Sequence, residues 1–262
     1  MTVVPSVAEL GPNARYWGAF NLEQCFRFLL PGSPATIAPG YLTLVTGAPH
    51  PFGNFGLVSE ADDLGAVQKV VGALSTCSAP CLVGFHTEPS TEITNVLTEH
   101  GFGQPDPMPI LALDIHRLAP TQLPPGYRFA SAGPSEADSW TRAISSAFGL
   151  PEEVARYLSP HRTPDKSGEE QVHFFGVFRD DRVVATTGLY LNGKVAGIYS
   201  VGTIAEERGK GLGAHVTAES LRFAANLGYK VGVLQSSTAG YPVYKRIGFQ
   251  DLGTVPLYFR GI

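Results

Sequence analysis

The apolar pattern of the second half of the chain predicts strands, then a helix, then another strand. Apolar runs from His173 to Ile204 are interrupted at Asp180-Asp181 and at Asn192-Gly193, so three strands joined by two turns are expected. A helical period precedes them in SEADSWTRAISSAFG. A second helical period, AHVTAESLRFAANLG, ends at Gly228 and leads into the strand KVGVLQSS. A strand reached through a helix must cross over to pair, which predicts a mixed sheet covered by helices.

The order strand, helix, Gly-Phe, strand occurs twice. It runs through Gly101-Phe102 in the first half and through Gly248-Phe249 in the second. The proline-rich segment between them, from His116 to Ala130, lacks an apolar period and predicts a linker. A repeated order of this kind indicates duplication. We therefore expect an α/β fold (mixed α+β) with two units, residues 1–121 and 122–262, each a mixed, mostly antiparallel sheet flanked by helices.

The stretch EERGKGLGAHVTAES places glycines and cations where the second helix begins. The first N–H groups of a helix have no partner within it, and the helix dipole makes that end partly positive. Gly209, Gly211 and Gly213 remove side chains from the approach, while Arg208 and Lys210 add positive charge. The stretch therefore predicts a site for a phosphate or another anion.

Two known phosphate loops fit this stretch poorly. A Walker A loop needs Gly-Lys-Ser/Thr after a four-residue gap, which is absent. The segment GKGLGA matches the dinucleotide fingerprint literally, but the next strand ends in VLQSS without the acidic residue that would hold a ribose. Too little chain follows for the second half of a doubly wound sheet, which disfavours a dinucleotide oxidoreductase.

The segment RGKGLG resembles the Arg/Gln-x-x-Gly-x-Gly/Ala loop of the GNAT N-acetyltransferase superfamily. The tail YPVYKRIGF is similar to the Tyr-x-x-x-Gly-Phe ending of that family. The strand IYSVGTI resembles its fourth strand, although Thr203 stands where proline is frequent. The resemblance covers roughly residues 127 to 262. The first half resembles a degenerate GNAT-like unit, so the whole resembles a tandem GNAT protein.

The resemblance implies acetyl-CoA as cosubstrate and assigns residues to its parts. The pyrophosphate would lie on the loop formed by Arg208, Gly209, Lys210, Gly211, Leu212, Gly213 and Ala214. The pantetheine arm would run along Val201, Gly202 and Thr203, with the Val201 amide facing the thioester carbonyl. Ser236 and Ser237 would line the other side of the cleft.

Two tyrosines are implied as catalytic residues. Tyr244 matches the family tyrosine that gives a proton to the CoA thiolate, and a phenol with an ordinary pKa near 10 suits that role. Tyr199 orders a water or shapes the pocket; packing in the core is the alternative. Many relatives carry a glutamate on the fourth strand, but this chain has Ile198, Tyr199 and Ser200 there, so the general base stays open.

The first half differs at the start of the helix that corresponds to the one after the glycine loop. Glu60, Asp62 and Asp63 replace the glycines and cations. Carboxylates cap the free N–H groups themselves and repel a phosphate. We expect the first half to bind no CoA and to form a wall of the substrate cleft; recognition of a separate ligand is the alternative.

Composition narrows the remaining choices. A net charge of −4 argues against a nucleic-acid partner, and no apolar run approaches the roughly 20 residues of a membrane span. Three sparse cysteines indicate a reducing compartment, and Cys77 and Cys81 lack further ligands at metal spacing. We therefore expect a cytoplasmic protein without a metal and without nucleic-acid or membrane partners, and a homo-oligomer stays open.

Together these features predict an N-acetyltransferase. It would transfer acetyl from acetyl-CoA directly to a primary amine, on a small molecule or a peptide, in a ternary complex. The alternative is a non-catalytic acyl-CoA-binding or regulatory module. The missing carboxylate on the fourth strand favours that alternative, whereas Tyr244 favours the enzyme.

Overall fold

A computed structural model describes residues 3–162, 168 and 170–262. Its strands are β1 Ala35–Ala38, β2 Tyr41–Val45, β3 Asn54–Val58, β4 Cys81–Phe85, β5 Pro105–Asp114, β6 Tyr127–Ser131, β7 Glu170–Arg179, β8 Arg182–Asn192, β9 Ala196–Thr203, β10 Val231–Gln235 and β11 Gln250–Arg260. Its α-helices are α1 Ala14–Leu29, α2 Leu64–Ser75, α3 Thr91–Glu99, α4 Ala137–Phe148, α5 Glu152–Ala155, α6 Leu212–Asn226 and α7 Tyr241–Arg246. Short 3-10 segments include Val7–Asn13 and Ala205–Glu207.

The described strands form one sheet in the order β1-β2-β3-β4-β11-β5-β10-β9-β8-β7-β6. Within it, β3 is parallel to β4 and β9 is parallel to β10, and the other neighbours are antiparallel. The predicted mixed, mostly antiparallel architecture with helices on its faces is confirmed. The strands of both halves join in a single sheet rather than two separate ones.

The last strand of each half pairs with strands of the other half. β5 lies between β11 and β10, with Leu111 opposite Leu234. β11 lies between β4 and β5, with Leu257 opposite Gly84. The backbone groups of both strands are therefore satisfied only when the two halves are together. The boundary between residues 121 and 122 stays a prediction about the chain, but hydrogen bonds of the sheet cross it.

The repeated Gly-Phe motif has the same local structure in both halves. Gly101 and Gly248 follow α3 and α7 with φ of +81° and +109°, a region that glycine adopts without strain. The N–H of Phe102 donates to Leu97 O at 3.0 Å, and the N–H of Phe249 donates to Tyr244 O at 3.1 Å. Leu97 thus occupies in the first half the place that Tyr244 occupies in the second.

The helices cover both faces of the sheet. Trp140 on α4 packs edge-on against Phe174, with ring centroids 5.2 Å apart. The next residue on β7, Phe175, packs against Phe223 on α6 at 5.1 Å. Because neighbouring strand residues point to opposite faces, α4 and α6 lie on opposite sides. α1 shares the α4 side, since Phe28 lies 5.8 Å from Tyr190 in the same core as Trp140.

The linker predicted from His116 to Ala130 extends too far, because its last residues belong to a strand. Residues from Tyr127 onward form β6, which pairs with β7 at the edge of the sheet. Phe129 stacks on Phe175 at 5.2 Å, and the Arg128 guanidinium lies 4.1 Å from the Phe178 ring centre. The strand is stabilised by this pairing and packing, which a local apolar period does not reveal.

No described helix is long and apolar enough to cross a membrane.

We predict that neither half folds alone. In residues 1–121, β5 has lost both of its neighbours, and in residues 122–262 β11 has lost both of its own. Unpaired strands in an apolar core cost free energy and promote aggregation. Each fragment should lack a cooperative thermal transition in circular dichroism, and co-expression of the two should restore one. A cooperative transition in either fragment by itself would contradict this.

Candidate functional site

A cleft opens in the second half where two parallel strands separate. β9 and β10 pair only through Ala196 opposite Gly232 and Gly197 opposite Val233. Beyond these pairs β9 stays with β8 as far as Thr203, while β10 stays with β5 as far as Gln235. Between residues 198 and 203, the edge of β9 that faces β10 therefore lacks a strand partner among the described residues. Its backbone N–H and C=O groups are available to a ligand.

A bulge shapes this edge. Gly202 lies opposite Thr186 and Tyr199 opposite Gly188, so β9 carries one residue more than β8 over this interval. Ser200 has φ of +52°, where a residue other than glycine is strained by on the order of 1–3 kcal/mol. The Thr186 hydroxyl donates to Ser200 O at 2.8 Å and holds this conformation. The bulge changes the direction of β9 just before Val201.

The glycine loop connects this edge to α6. Gly209 and Gly211 have φ of +79° and +77°, and a Cβ at either position would meet no atom within 4 Å. Glycine therefore serves the backbone conformation here, and the loop surface is open. A Cβ at Gly213 would lie 3.6 Å from Thr203 Oγ1, so the helix start lies directly beside the end of β9. The first turn of α6, with Leu212 buried and Ala214 partly buried, presents its free N–H groups at this point.

Arg208 anchors the loop. Its Nε donates to Thr203 O and its Nη2 to Ala147 O, both at 3.1 Å. The guanidinium thereby joins the end of β9 to the end of α4. The sequence interpretation assigned this charge to a phosphate; in the structure it also fixes the loop.

Lys210 belongs to a charged network centred on Glu207. The Glu207 carboxylate is buried and accepts from Lys210 Nζ at 2.6 Å, from Tyr127 Oη at 2.5 Å and from Arg179 Nη1 at 2.9 Å. The hydrogen bonds from Lys210 and Tyr127 lower the pKa of Glu207 to about 2. Contact with Glu207 and Tyr127 raises the pKa of Lys210.

Glu207 is a residue whose role the sequence interpretation missed. Glu206 is exposed and pairs with Arg182 at 3.0 Å, whereas Glu207 is buried under the loop. The spacing of Glu207 three residues before Lys210 is a signal that could have indicated the pair.

The turn between β10 and α7 brings Ser236, Ser237 and Tyr244 together. A Cβ on Gly240 would lie 3.1 Å from the Tyr244 ring, 3.2 Å from Ser236 Oγ and 3.4 Å from Ser237 Oγ. The Ser236 hydroxyl donates to Ser237 O at 2.8 Å, and Ser237 Oγ accepts from Gly240 N at 3.2 Å. Ser236 is buried and Ser237 is exposed, so Ser237 is the more accessible of the two.

Tyr244 is a buried neutral phenol. Burial raises its pKa well above the ordinary value of 10. Its ring packs at 5.8 Å from that of Phe249, and no hydrogen bond of its hydroxyl is found within the described chain. A phenol held in this way keeps its proton at neutral pH and can donate a hydrogen bond to a leaving thiolate as negative charge develops on the sulfur.

Tyr199 binds a residue of the first half. Its hydroxyl donates to Asn21 Oδ1 at 2.5 Å, and Asn21 on α1 has 0% exposure. Burial raises the pKa of Tyr199 well above its ordinary value, so it is also a neutral phenol. Asn21 was missed by the sequence interpretation because its partner lies in the other half of the chain.

The equivalent region of the first half is closed. β3 and β4 pair from Phe55 opposite Leu82 to Val58 opposite Phe85, at the end of both strands. Just beyond these ends, Glu23 accepts from Ser59 Oγ at 2.9 Å and lies 2.7 Å from His86 Nε2. Burial alone would raise the pKa of Glu23, but His86, Arg27 and Ser59 together lower it. Glu23 thus holds together two strand ends that separate in the second half.

The helix start of the first half is also occupied. Asp63 Oδ1 accepts from Ala66 N at 2.9 Å, and this confirms the expected carboxylate cap on α2. Asp62 Oδ1 accepts from Ser90 N at 2.8 Å. Glu60 does not cap the helix by its side chain in the described structure. Asp63 therefore already uses one of the N–H groups at this helix start that an anion would need.

Two histidines near the site contact polar side chains of the protein. His173 Nε2 lies 3.1 Å from Gln171 Oε1, and His215 Nδ1 lies 3.1 Å from Thr121 Oγ1. Burial lowers the pKa of His215. The described residues contain no cluster of His, Cys, Asp or Glu that could hold a metal ion, and Cys77 and Cys81 are free thiols.

A separate surface cavity of about 850 Å³ lies between α4 and the β7–β8 turn. Charged residues dominate its lining, among them Arg142, Arg179, Asp181, Arg182 and Glu206. None of the predicted site residues lines it. It is therefore distinct from the cleft between β9 and β10.

Comparison with known proteins agrees with this geometry. The family described as Acetyltransferase (GNAT) matches residues 138–249, from α4 through the cleft and α7 to Phe249. This matched segment is therefore similar to a GNAT acetyltransferase domain. The match supports acyl transfer in general. No curated protein matches the chain.

Solved structures show that the GNAT-like fold extends beyond this domain. A GCN5-related N-acetyltransferase from Kribbella flavida is 19% identical with a TM-score of 0.64, covering 94% of this chain and 96% of its own. One from Sphaerobacter thermophilus is 15% identical at a TM-score of 0.57, covering 84% and 76%. A tandem GNAT protein from the clavulanic acid biosynthesis pathway is 10% identical at 0.56, covering 93% and 94%. Because the coverage includes both halves, the fold as a whole is that of these proteins.

We predict that the Glu207 network stabilises the second half of the chain only above acidic pH. A carboxyl group whose pKa falls from 4.5 to about 2 on folding contributes stability above pH 4.5, and this contribution is lost as the pH falls from 4.5 towards 2. Glu207→Gln should lower the melting temperature at pH 7, and its difference from the wild type should shrink below about pH 4.5. Glu206→Gln, in an exposed pair, is the control and should have little effect. A difference independent of pH would argue against the network.

Proposed function

We propose that this protein is an N-acetyltransferase that transfers an acetyl group from acetyl-CoA to a primary amine in a direct ternary complex. The observation that carries the proposal is the separation of β9 from β10 beyond Gly197, with an uncovered glycine loop at the open end. The separated strand edge offers backbone hydrogen bonds to a linear arm, and the loop offers N–H groups to its diphosphate. Acetyl-CoA has this shape and charge.

The binding roles follow from position. The diphosphate lies on the loop from Arg208 to Ala214, where Gly209 and Gly211 leave the backbone open. The amides of the pantetheine arm pair with the free edge of β9 around Val201 and Thr203. Ser237 borders the opposite wall. Lys210 contributes less charge than the sequence suggests, because Glu207 pairs with it.

The chemistry uses the two ends of the cleft. The amine nitrogen attacks the thioester carbonyl carbon, the carbon–sulfur bond breaks, and the thiolate takes a proton from Tyr244. The amine loses one proton, which returns through water to Tyr244, so the neutral phenol is regenerated. The backbone N–H of Val201, after the bulge, is assigned to the oxyanion that forms in between. β9 carries no carboxylate near Tyr199, so the amine enters as its free base.

The first half has a supporting role in this proposal. Its strand ends are held together by Glu23 and its helix start is capped by Asp63, so it takes no CoA. It contributes α1, which lies against β9 and β10 and forms one wall of the cleft.

We predict that Gly211→Glu weakens acetyl-CoA binding. A Cβ at this position would meet no atom within 4 Å, so the substitution costs backbone strain but no steric overlap at Cβ, and its carboxylate lies in the approach of the diphosphate. Repulsion and loss of one to two charge-assisted hydrogen bonds should weaken binding by at least about 1–3 kcal/mol, or 5- to 150-fold. Isothermal titration calorimetry with acetyl-CoA measures this.

Gly228→Glu is the matched control. Gly228 has φ of +94° and also has no atom within 4 Å of its Cβ position, but it follows the C-terminus of α6. Both variants carry the same strain and charge. Equal affinities of the two variants would refute the placement of the diphosphate.

We predict that Tyr244→Phe lowers kcat by about 100-fold or more while acetyl-CoA affinity changes little, as for removal of a general acid. Because burial raises the pKa of Tyr244, the wild-type rate should not fall between pH 8 and pH 10 through loss of this proton. Release of CoA thiol with an amine panel measures both. Binding of acetyl-CoA without turnover of any amine by the wild type would favour a non-catalytic acyl-CoA-binding module.

A further inference from the structure

Helix α1 reaches the narrow end of the cleft, where β9 and β10 begin to separate. Asn21 lies against Gly197, the last residue of β9 that pairs with β10, and a Cβ on Gly197 would overlap Asn21 Oδ1. Glycine at this position is what allows the amide to enter. The same Oδ1 accepts from the Tyr199 hydroxyl.

Gln235 approaches the same point from β10. Its Nε2 donates to Gly18 O of α1 at 2.9 Å. Gly18 and Asn21 are three residues apart on the helix and therefore face the same way. Tyr199 and Gln235 each follow the last paired residues, Gly197 and Val233, by two positions. They therefore project from the same side of the sheet as the two strands separate.

Two amide atoms in this group have no hydrogen-bond partner within the described chain. They are the Nδ2 donor of Asn21 and the Oε1 acceptor of Gln235, and both atoms are buried. An unpaired buried polar atom destabilises the fold, and proteins seldom keep two in one place. Glu23, the carboxylate on α1, does not pair with these two atoms, because it contacts Arg27, Ser59 and His86.

We propose that Asn21, Gln235 and Tyr199 form the subsite that recognises the acceptor. We propose further that this acceptor is an amine with a hydroxyl or carbonyl oxygen on the carbon next to the one that carries the nitrogen. The inference rests on the proposed function. The amine N–H donates to Gln235 Oε1, and the neighbouring hydroxyl or carbonyl oxygen accepts from Asn21 Nδ2. Tyr199, whose proton is committed to Asn21, offers the amine an oxygen lone pair.

This substrate class fits the chemistry of the cleft. The subsite has amides and a phenol but no carboxylate, so it does not stabilise an ammonium ion. An electron-withdrawing oxygen close to the amine lowers its basicity and increases the fraction of free base. Such an amine needs little help from a protein base, which agrees with the absence of a carboxylate on β9.

The test uses matched pairs of amines with the full-length protein and acetyl-CoA. Each pair differs only in the oxygen, as do 2-aminoethanol and propylamine, and the panel extends to larger pairs. With kcat/KM calculated for the free base of each amine, the wild type should prefer the oxygenated member at least roughly tenfold. Asn21→Leu should bring that preference close to one. Gln235→Met should raise KM for both members and leave their ratio unchanged.

Two further variants separate recognition from structure. Gln24→Met makes the same amide-to-thioether change on α1, outside this subsite, and should leave both members unaffected. Tyr199→Phe breaks the bond to Asn21 but keeps Nδ2, so it should lower turnover of both members with the preference retained. Equal rates for both members in the wild type, or a preference that survives Asn21→Leu, would overturn the subsite. Absence of turnover with every amine would instead refute the proposed function, and the inference with it.

Discussion

The parallel pairing of β9 with β10 ends after two residue pairs, and the candidate site depends on that early end. Each strand is held on its other side, β9 by β8 and β10 by β5, so the two can diverge without losing their place in the sheet. Divergence leaves a strand edge whose polar backbone groups lie in an otherwise buried region. The bulge at Ser200, the glycine loop and the Arg208 contacts all serve to shape or hold that edge.

The first half shows how few residues separate an open cleft from a closed one. Its strands β3 and β4 pair over four positions, and Glu23 joins the residues that follow them. Asp63 supplies to α2 the hydrogen bond that an anion would supply to α6. Leu97 occupies the place of Tyr244. The two halves share one order of elements, and the contrast lies in side chains at strand ends and helix starts.

Much of the second half was predictable because its signals are local. The turn at Asn192-Gly193, the amphipathic period of α6 and the glycines before it depend on residues close together in sequence. β6 was hidden in a proline-rich segment because its stability comes from pairing with β7. Asn21 and Glu207 escaped notice for a related reason: their roles depend on Tyr199 and Arg179, 178 and 28 residues away. The pairing of β5 and β11 with strands of the other half has no local signature in the sequence.

The pairing of β11 with a strand of the first half has a consequence for biosynthesis. β11 is made after every other strand of the sheet, yet it lies directly against β4 of the first half. A nascent chain on the ribosome that has already released residues 1–121 still exposes the edge of β4 and both edges of β5. Domains usually mature from the N-terminus as they emerge. Here the earlier half remains incomplete until translation has passed residue 260, so its maturation is coupled to that of the second half.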